Sequence, residues 1–147
     1  MNEDDFNALW KSLVKRSSSL SEHERRFYAV NLLRGSVPRS GFIGYFENWS
    51  ASEIAVAHEG LEALHLVPVL ALLQKAQNIV LGGKPLPRSS SRVVVFPKSL
   101  TDEEHERESC RIDEALAPVE EEFFKYDDQM WNALCHYADE HKLKPID

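Results

Sequence analysis

Apolar residues recur at spacings of three and four along most of the chain, which is the signature of helices with one buried face. Asp4 to Arg16 places Phe6, Leu9, Trp10, Leu13 and Val14 on one such face. A capping box at Ser21 and Glu24, in which side chain and backbone N–H satisfy each other, opens a second helix. That helix is expected to run from Glu22 to about Arg34, burying Phe27, Val30 and Leu33, with Gly35 as its stop. Ser36 to Gly41 reads as a tight connection, and Phe42 to Asn48 as a short aromatic stretch. Ser50 and Glu53 form a second capping box before a helix burying Ile54, Ala57, Leu61 and Leu64. Pro68 suits the first turn of the next helix, Val67 to Leu81, which is apolar on most sides and reads as the central core helix. Gly82-Gly83 ends it.

Residues 84–98 hold three prolines and the run Ser89-Ser90-Ser91, so they read as an irregular loop. Val93 to Phe96 favour a strand but have no partner strand, so an extended segment against the helices is expected. Thr101 and Glu104 suggest a third capping box, with a helix to about Ala117 that Pro118 breaks or restarts. Asp127 or Asp128 would cap a last helix burying Trp131, Leu134, Cys135 and Ala138. The pattern predicts an all-α fold, a single multi-helix domain over residues 1–147. Leu70, Leu73, Ile79, Phe46, Leu134 and Trp131 are its expected core.

Composition narrows the class. The chain has 147 residues, 43% hydrophobic and 28% charged, ordinary values for a folded domain and too apolar for a disordered one. The longest clean apolar run, Leu66 to Leu73, is too short to span a membrane. No basic, apolar leader opens the chain, and Cys110 and Cys135 cannot build a multi-bridge framework. A cytoplasmic location is therefore expected. The net charge of −7 argues against direct contact with nucleic acid. That charge is unevenly placed: residues 1–98 are net +3, whereas residues 99–141 are net −11.

Ser40-Gly41-Phe42-Ile43-Gly44-Tyr45-Phe46-Glu47-Asn48 resembles the Asn-Gly-Gly-Phe-x-x-Tyr-Phe-x-Asn signature of a bacterial family of small all-helical domains, named for a DNA-mimic protein. Gly41, Phe42, Tyr45, Phe46 and Asn48 carry the match, and Arg39-Ser40 replaces the signature's Asn-Gly. The resemblance extends over about residues 20–141, ending with Phe123 to Asp128 and a helix closing on His141. It implies an all-α fold and a protein that occupies the DNA-binding surface of a transcription regulator. Physically, the aromatic residues read as a core plug. The rival reading is a small pocket whose polar handles are the Tyr45 hydroxyl and the Asn48 amide.

The acidic stretch fits mimicry only in part. Asp102 to Glu114 holds seven acids in thirteen residues, or one per about 2.8 Å at helical rise. Duplex DNA carries one charge per about 1.7 Å of axis. A second helix must therefore contribute acids from Glu120, Glu121, Glu122, Asp127 and Asp128. The bland reading is a solvated acidic helix. The candidate partner-binding residues are Glu103, Glu104, Glu106, Glu120, Glu121, Asp127 and Asp128.

Other chemistry is thinly represented. His58, Glu62 and His65 stand at spacings that put them on one helix face, but the common zinc, phosphate-loop and nucleophile motifs are missing. No catalytic residue, metal or cofactor is assigned. The expected function is a non-enzymatic interaction protein, a DNA mimic whose acidic helices occupy a basic site, as a monomer or homodimer. An immunity or adaptor protein is the first alternative. A small ligand-binding or enzymatic domain using the aromatic signature is the second.

Overall fold

The computed structural model describes residues 1–88 and 92–146. The run Ser89-Ser90-Ser91, part of the expected loop, lies outside the described residues. The elements in order are α1 (Glu3–Lys15), α2 (Glu22–Asn48), α3 (Ala51–Ala63), α4 (Val67–Val80), α5 (Asp102–Phe124) and α6 (Asp127–Glu140). No strand occurs among the described residues, so the fold is all-α. No described helix is long and apolar enough to cross a membrane.

The organising helix is α2, which packs against each of the other five. Phe27, Val30, Leu33, Val37, Phe42, Tyr45 and Phe46 all point from it into the core. It crosses α3 closely because Gly60 has no side chain. A Cβ there would lie 2.6 Å from Val30 Cγ2 and 2.9 Å from the Arg26 carbonyl oxygen. The expected centre, α4, is instead an outer helix. It buries only Val69, Leu73, Ala76 and Val80, while Leu70 and Ile79 are half-buried. Composition overstated its burial, because apolar residues on its outer side remain partly wet.

Three boundaries differ from the expected ones. Gly35 does not stop α2, and residues 36–40 continue the helix rather than forming a connection. A helix-interior glycine costs only about 1 kcal/mol against alanine, and the buried Val37 beyond it rewards continuation. The interruption falls at Gly41, with φ 68° and ψ 178°. Pro118 does not break α5, which runs helically through it to Phe124. Thr101 accepts from the Glu104 N–H at 3.1 Å, but the reciprocal half of that capping box is not formed.

At the other end, α6 has Tyr126 as its N-cap and no side-chain cap. Neither Asp127 nor Asp128 caps it. Leu134 and Ala138 are buried, whereas Trp131 and Cys135 are half-buried. In α1, Phe6, Leu9 and Leu13 are buried, but Val14 is exposed and Trp10 stacks on Tyr28 with centroids 5.0 Å apart. The segment after residue 91 lies along the helices: Val93 is buried, and Arg92 forms an isolated bridge with Ser50.

The start of α2 is tied to α1 by charge. Arg16 Nη2 donates to Glu24 Oε2 at 2.7 Å, and this bond holds the Glu24 carboxyl below its ordinary value near 4.5. A depressed carboxyl stabilises the fold above its unfolded value, and the contribution is lost as pH falls through its folded value. Glu24→Gln keeps a side chain able to complete the capping box but removes the charge. Urea titrations should show the variant less stable by about 1 kcal/mol at neutral pH, converging on the parent in acid.

Two glycines give opposite expectations. Gly35→Ala meets no atom within 4 Å and sits in helical backbone, so melting should show a gain of about 0.5–1 kcal/mol. Gly41→Ala places a Cβ 2.8 Å from Glu120 Oε1 in a conformation almost exclusive to glycine, so a loss of about 3 kcal/mol is expected.

Candidate functional site

The acids of the C-terminal region lie mainly on one rod. Because α5 continues through Pro118, its 23 residues make a helix about 34 Å long. It carries ten acids against Arg107 and Arg111. Its inner stripe is Ile112, Leu116, Val119 and Phe123, all buried. At about 100° per residue, Glu103, Glu114 and Glu121 fall opposite that stripe and Glu106 and Asp113 on one flank of it, and all five are exposed. They run about 27 Å along the helix, with Cys110 and Ala117 between them and Arg107 at the edge. A one-residue slip in helical phase would scatter them; the seven-residue intervals 106–113 and 114–121 keep them aligned.

The seven predicted partner-binding acids do not share one environment. Glu103 and Glu121 stand on this outer face, with Glu106 on its flank. Glu104 is exposed but turned about 100° away. Asp128 is exposed on the first turn of α6. Asp127 is held by Arg34, through Nε to Oδ1 at 2.9 Å and Nη2 to Oδ2 at 3.3 Å, with the guanidinium 5.2 Å from the Trp131 ring centre. Glu120 is turned inward. Its Oε1 accepts the Phe42 N–H at 3.0 Å, just past the break at Gly41.

That contact explains the signature. A helix restarting at Phe42 exposes N–H groups with no partner in the preceding turn, and a carboxylate there satisfies one and complements the positive helix end. Phe42 then packs edge-on against Phe123, centroids 5.4 Å apart, and beside Phe46. Sequence reading missed this link because Glu120 is 78 positions from Phe42. Nothing local distinguishes Glu120 from Glu121.

Other acids of α5 are paired on its surface. Glu108 pairs with Arg111, Glu122 with Lys125 at 3.0 Å, and Glu103 loosely with Arg107 at 3.6 Å. The Arg111 guanidinium holds the Glu108 carboxyl below the usual range. Among the described residues, Asp102, Glu104, Glu106, Asp113, Glu114, Glu121 and Asp128 make no ion pair.

The chain matches the family model described as DMP19-like protein over residues 18–141. It belongs to that family. The family is named for DNA mimic protein 19, and membership is consistent with a DNA mimic. No curated protein and no solved structure matches the chain significantly.

The remaining signature residues diverge. Phe46 is fully buried, and Asn48, the last residue of α2, is exposed. Tyr45 is 2% exposed and lines a cavity of about 380 Å³ between α2, α3 and the α1–α2 turn. Its hydroxyl makes no hydrogen bond among the described residues. Burial, and then the charge of Glu53, raise its pKa well above the ordinary value, so it stays a neutral donor. Asn48 does not line this cavity, so it is not the second handle.

The histidine constellation separates. His58 Nε2 lies 2.8 Å from Gln77 Oε1, and His65 lies beyond the end of α3 with φ 59°, so the three residues do not share a helix face. Among the described residues no three His, Cys, Asp or Glu side chains gather as metal ligands. A different histidine group joins α2 to α6. His23 Nδ1 lies 2.8 Å from the Tyr137 hydroxyl, and its ring stacks on His141 with centroids 3.8 Å apart.

Two neighbouring acids test this division of labour. Glu120→Ala should lower stability by about 1–2 kcal/mol in chemical denaturation, as loss of a helix cap does. Glu121→Ala, one residue on and exposed, should change it by no more than about 0.5 kcal/mol.

Proposed function

We propose that this protein is a non-enzymatic DNA mimic whose binding face is the outer side of α5. The ridge consists of Glu103, Glu106, Asp113, Glu114 and Glu121, flanked by Glu104 and continued past the turn by Asp128. Its partner is the basic DNA-reading surface of a transcription regulator. The supporting observation is the row of five exposed acids on one rigid helix, in a chain whose first 98 residues are net positive. Family membership supports the same reading.

The mechanism is substitution of carboxylates for phosphates. The nine acids of α5 other than Glu120, over about 34 Å, are one per about 3.8 Å, near the spacing of about 3.4 Å along a single DNA strand. The ridge itself is sparser, five acids over about 27 Å, so it offers part of one backbone rather than a whole duplex. Such a surface attracts a basic groove from a distance and chiefly raises the association rate. Glu120 and Asp127 take a different part here. They hold α5 to Phe42 and α6 to Arg34, and so fix the angle at which the ridge is presented.

Affinity capture from the source cell with the full chain, analysed by mass spectrometry, tests this reading. The expected capture is a DNA-binding regulator, released as salt passes physiological strength and displaced by that regulator's own duplex site. The triple variant Glu106→Lys, Glu114→Lys, Glu121→Lys should lose the capture while keeping its helical circular dichroism, because exposed substitutions typically change stability by about 0.5 kcal/mol. Retention of the regulator by that variant at low salt overturns the proposal. A captured partner indifferent to duplex DNA favours the adaptor reading instead.

A further inference from the structure

The cavity at Tyr45 is separate from the acidic ridge and goes beyond the mimic reading. It is walled by Tyr28 and Trp49, with Leu32 and Val56 adding apolar surface. Both aromatic walls are held in place. Tyr28 stacks on Trp10 with an interplanar angle of 21°, and the Trp49 indole N–H donates to Ser36 Oγ at 3.3 Å. Its volume of about 380 Å³ lies at the small end of the range of ligand sites.

The polar groups around it are unbalanced. Tyr45 brings a hydroxyl that opens onto the cavity and has no protein partner among the described residues. Arg25 lines the cavity as well, exposed and without an ion pair among the described residues. Ser17 and Ser18 add further hydroxyls. The one carboxylate, Glu53, already accepts from the Ser50 N–H at 3.1 Å and the Ser50 hydroxyl at 2.8 Å, both on Oε1. The hydroxyls can donate or accept, whereas Arg25 is a donor-only group with no carboxylate partner among the described residues, so the complement it lacks is an anionic acceptor. Arg25, Tyr28 and Leu32 lie on one face of α2, about 10 Å from first to last. Arg25 and the two aromatic side chains thus line the same cavity.

We propose that this cavity binds a small aromatic carboxylate with a second polar atom on its ring. The ring lies between Tyr28 and Trp49. The carboxylate takes the Arg25 guanidinium, the charge-assisted pairing that favours arginine. The ring's polar atom accepts from the Tyr45 hydroxyl.

The test is titration of the full chain with 3-(4-hydroxyphenyl)propionate, followed by nuclear magnetic resonance. A dissociation constant of about 10⁻⁴ M is expected for a ligand of this size, with shifts confined to α2 and α3 around the cavity. Arg25→Gln, at the exposed mouth, should weaken binding about tenfold. Tyr45→Phe should remove the advantage of the probe over 3-phenylpropionate, which lacks the ring hydroxyl. Tyramine, with an ammonium in place of the carboxylate, should bind at least about tenfold more weakly than the probe. No saturable binding to the parent overturns the proposal. So does tyramine binding as well as the acid, or unchanged affinity in Arg25→Gln; that rim variant decides the matter even if Tyr45→Phe fails to fold. The triple lysine variant of the ridge should bind the probe as the parent does. Loss of partner capture and loss of probe binding are thus separate results.

Discussion

The hydrogen bond from the Phe42 N–H to the Glu120 carboxylate is the constraint on which the arrangement rests. A helix interrupted against a neighbouring helix leaves partly buried backbone donors without their intrahelical partners, and leaving them unpaired is costly. Gly41 makes the interruption possible, because φ 68° with ψ 178° is open to glycine and almost closed to other residues. Glu120 makes it tolerable. The break redirects the last turns of α2, so that Phe42, Tyr45 and Phe46 all turn inward. It also fixes α5 in register along α2, since only one carboxylate reaches the restarting helix. The edge-on packing of Phe42 on Phe123 completes the join.

Legibility in the sequence followed range. Events decided within four residues were readable: two complete capping boxes at Ser21 and Ser50, and the proline opening α4, stand where the pattern puts them. Choices made by distant contacts were not. Gly35 and Gly41 look alike as helix stops, yet only Gly41 faces a carboxylate from another helix, and Gly35 faces nothing within 4 Å. Pro118 looks like a break, but Leu116, Val119 and Phe123 are buried on a common stripe that favours unbroken helix. Likewise α4 is the most apolar stretch without being the central one. Position in a bundle depends on how many faces find partners, and α2 finds five.

The same division runs through the acidic residues. Composition counts charges and cannot tell which face inward. Glu120 and Asp127 hold helices together, Glu108 and Glu122 sit in local pairs, and the first-turn acid Asp102 complements the helix dipole. What remains for a partner is smaller than the −11 of the region, but it is concentrated on one face. Rigidity matters more here than number. Exposed carboxylates on a packed helix lose only side-chain freedom on association, whereas a flexible acidic tail of equal charge loses backbone freedom as well. The buried stripe of α5 is therefore part of the binding argument as well as of the fold.

The chain's departure from its family signature follows from the same geometry. The signature places Asn-Gly-Gly before the phenylalanine, and this chain has Arg39-Ser40-Gly41. If the turn needed two unusual residues, serine at the first would be strained. Instead Ser40 is helical and exposed, and Gly41 alone carries the non-helical dihedrals. Replacement at 39 and 40 therefore leaves the break intact. Replacement at 41 meets both the forbidden backbone region and the Glu120 oxygen. Phe42 and Phe46 are required by the core they fill, while Tyr45 exceeds that requirement. A phenylalanine fills the same volume, and the hydroxyl opens onto a cavity rather than onto a protein partner. Among the buried signature residues it is the one atom for which neither the packing nor the helix break supplies a reason.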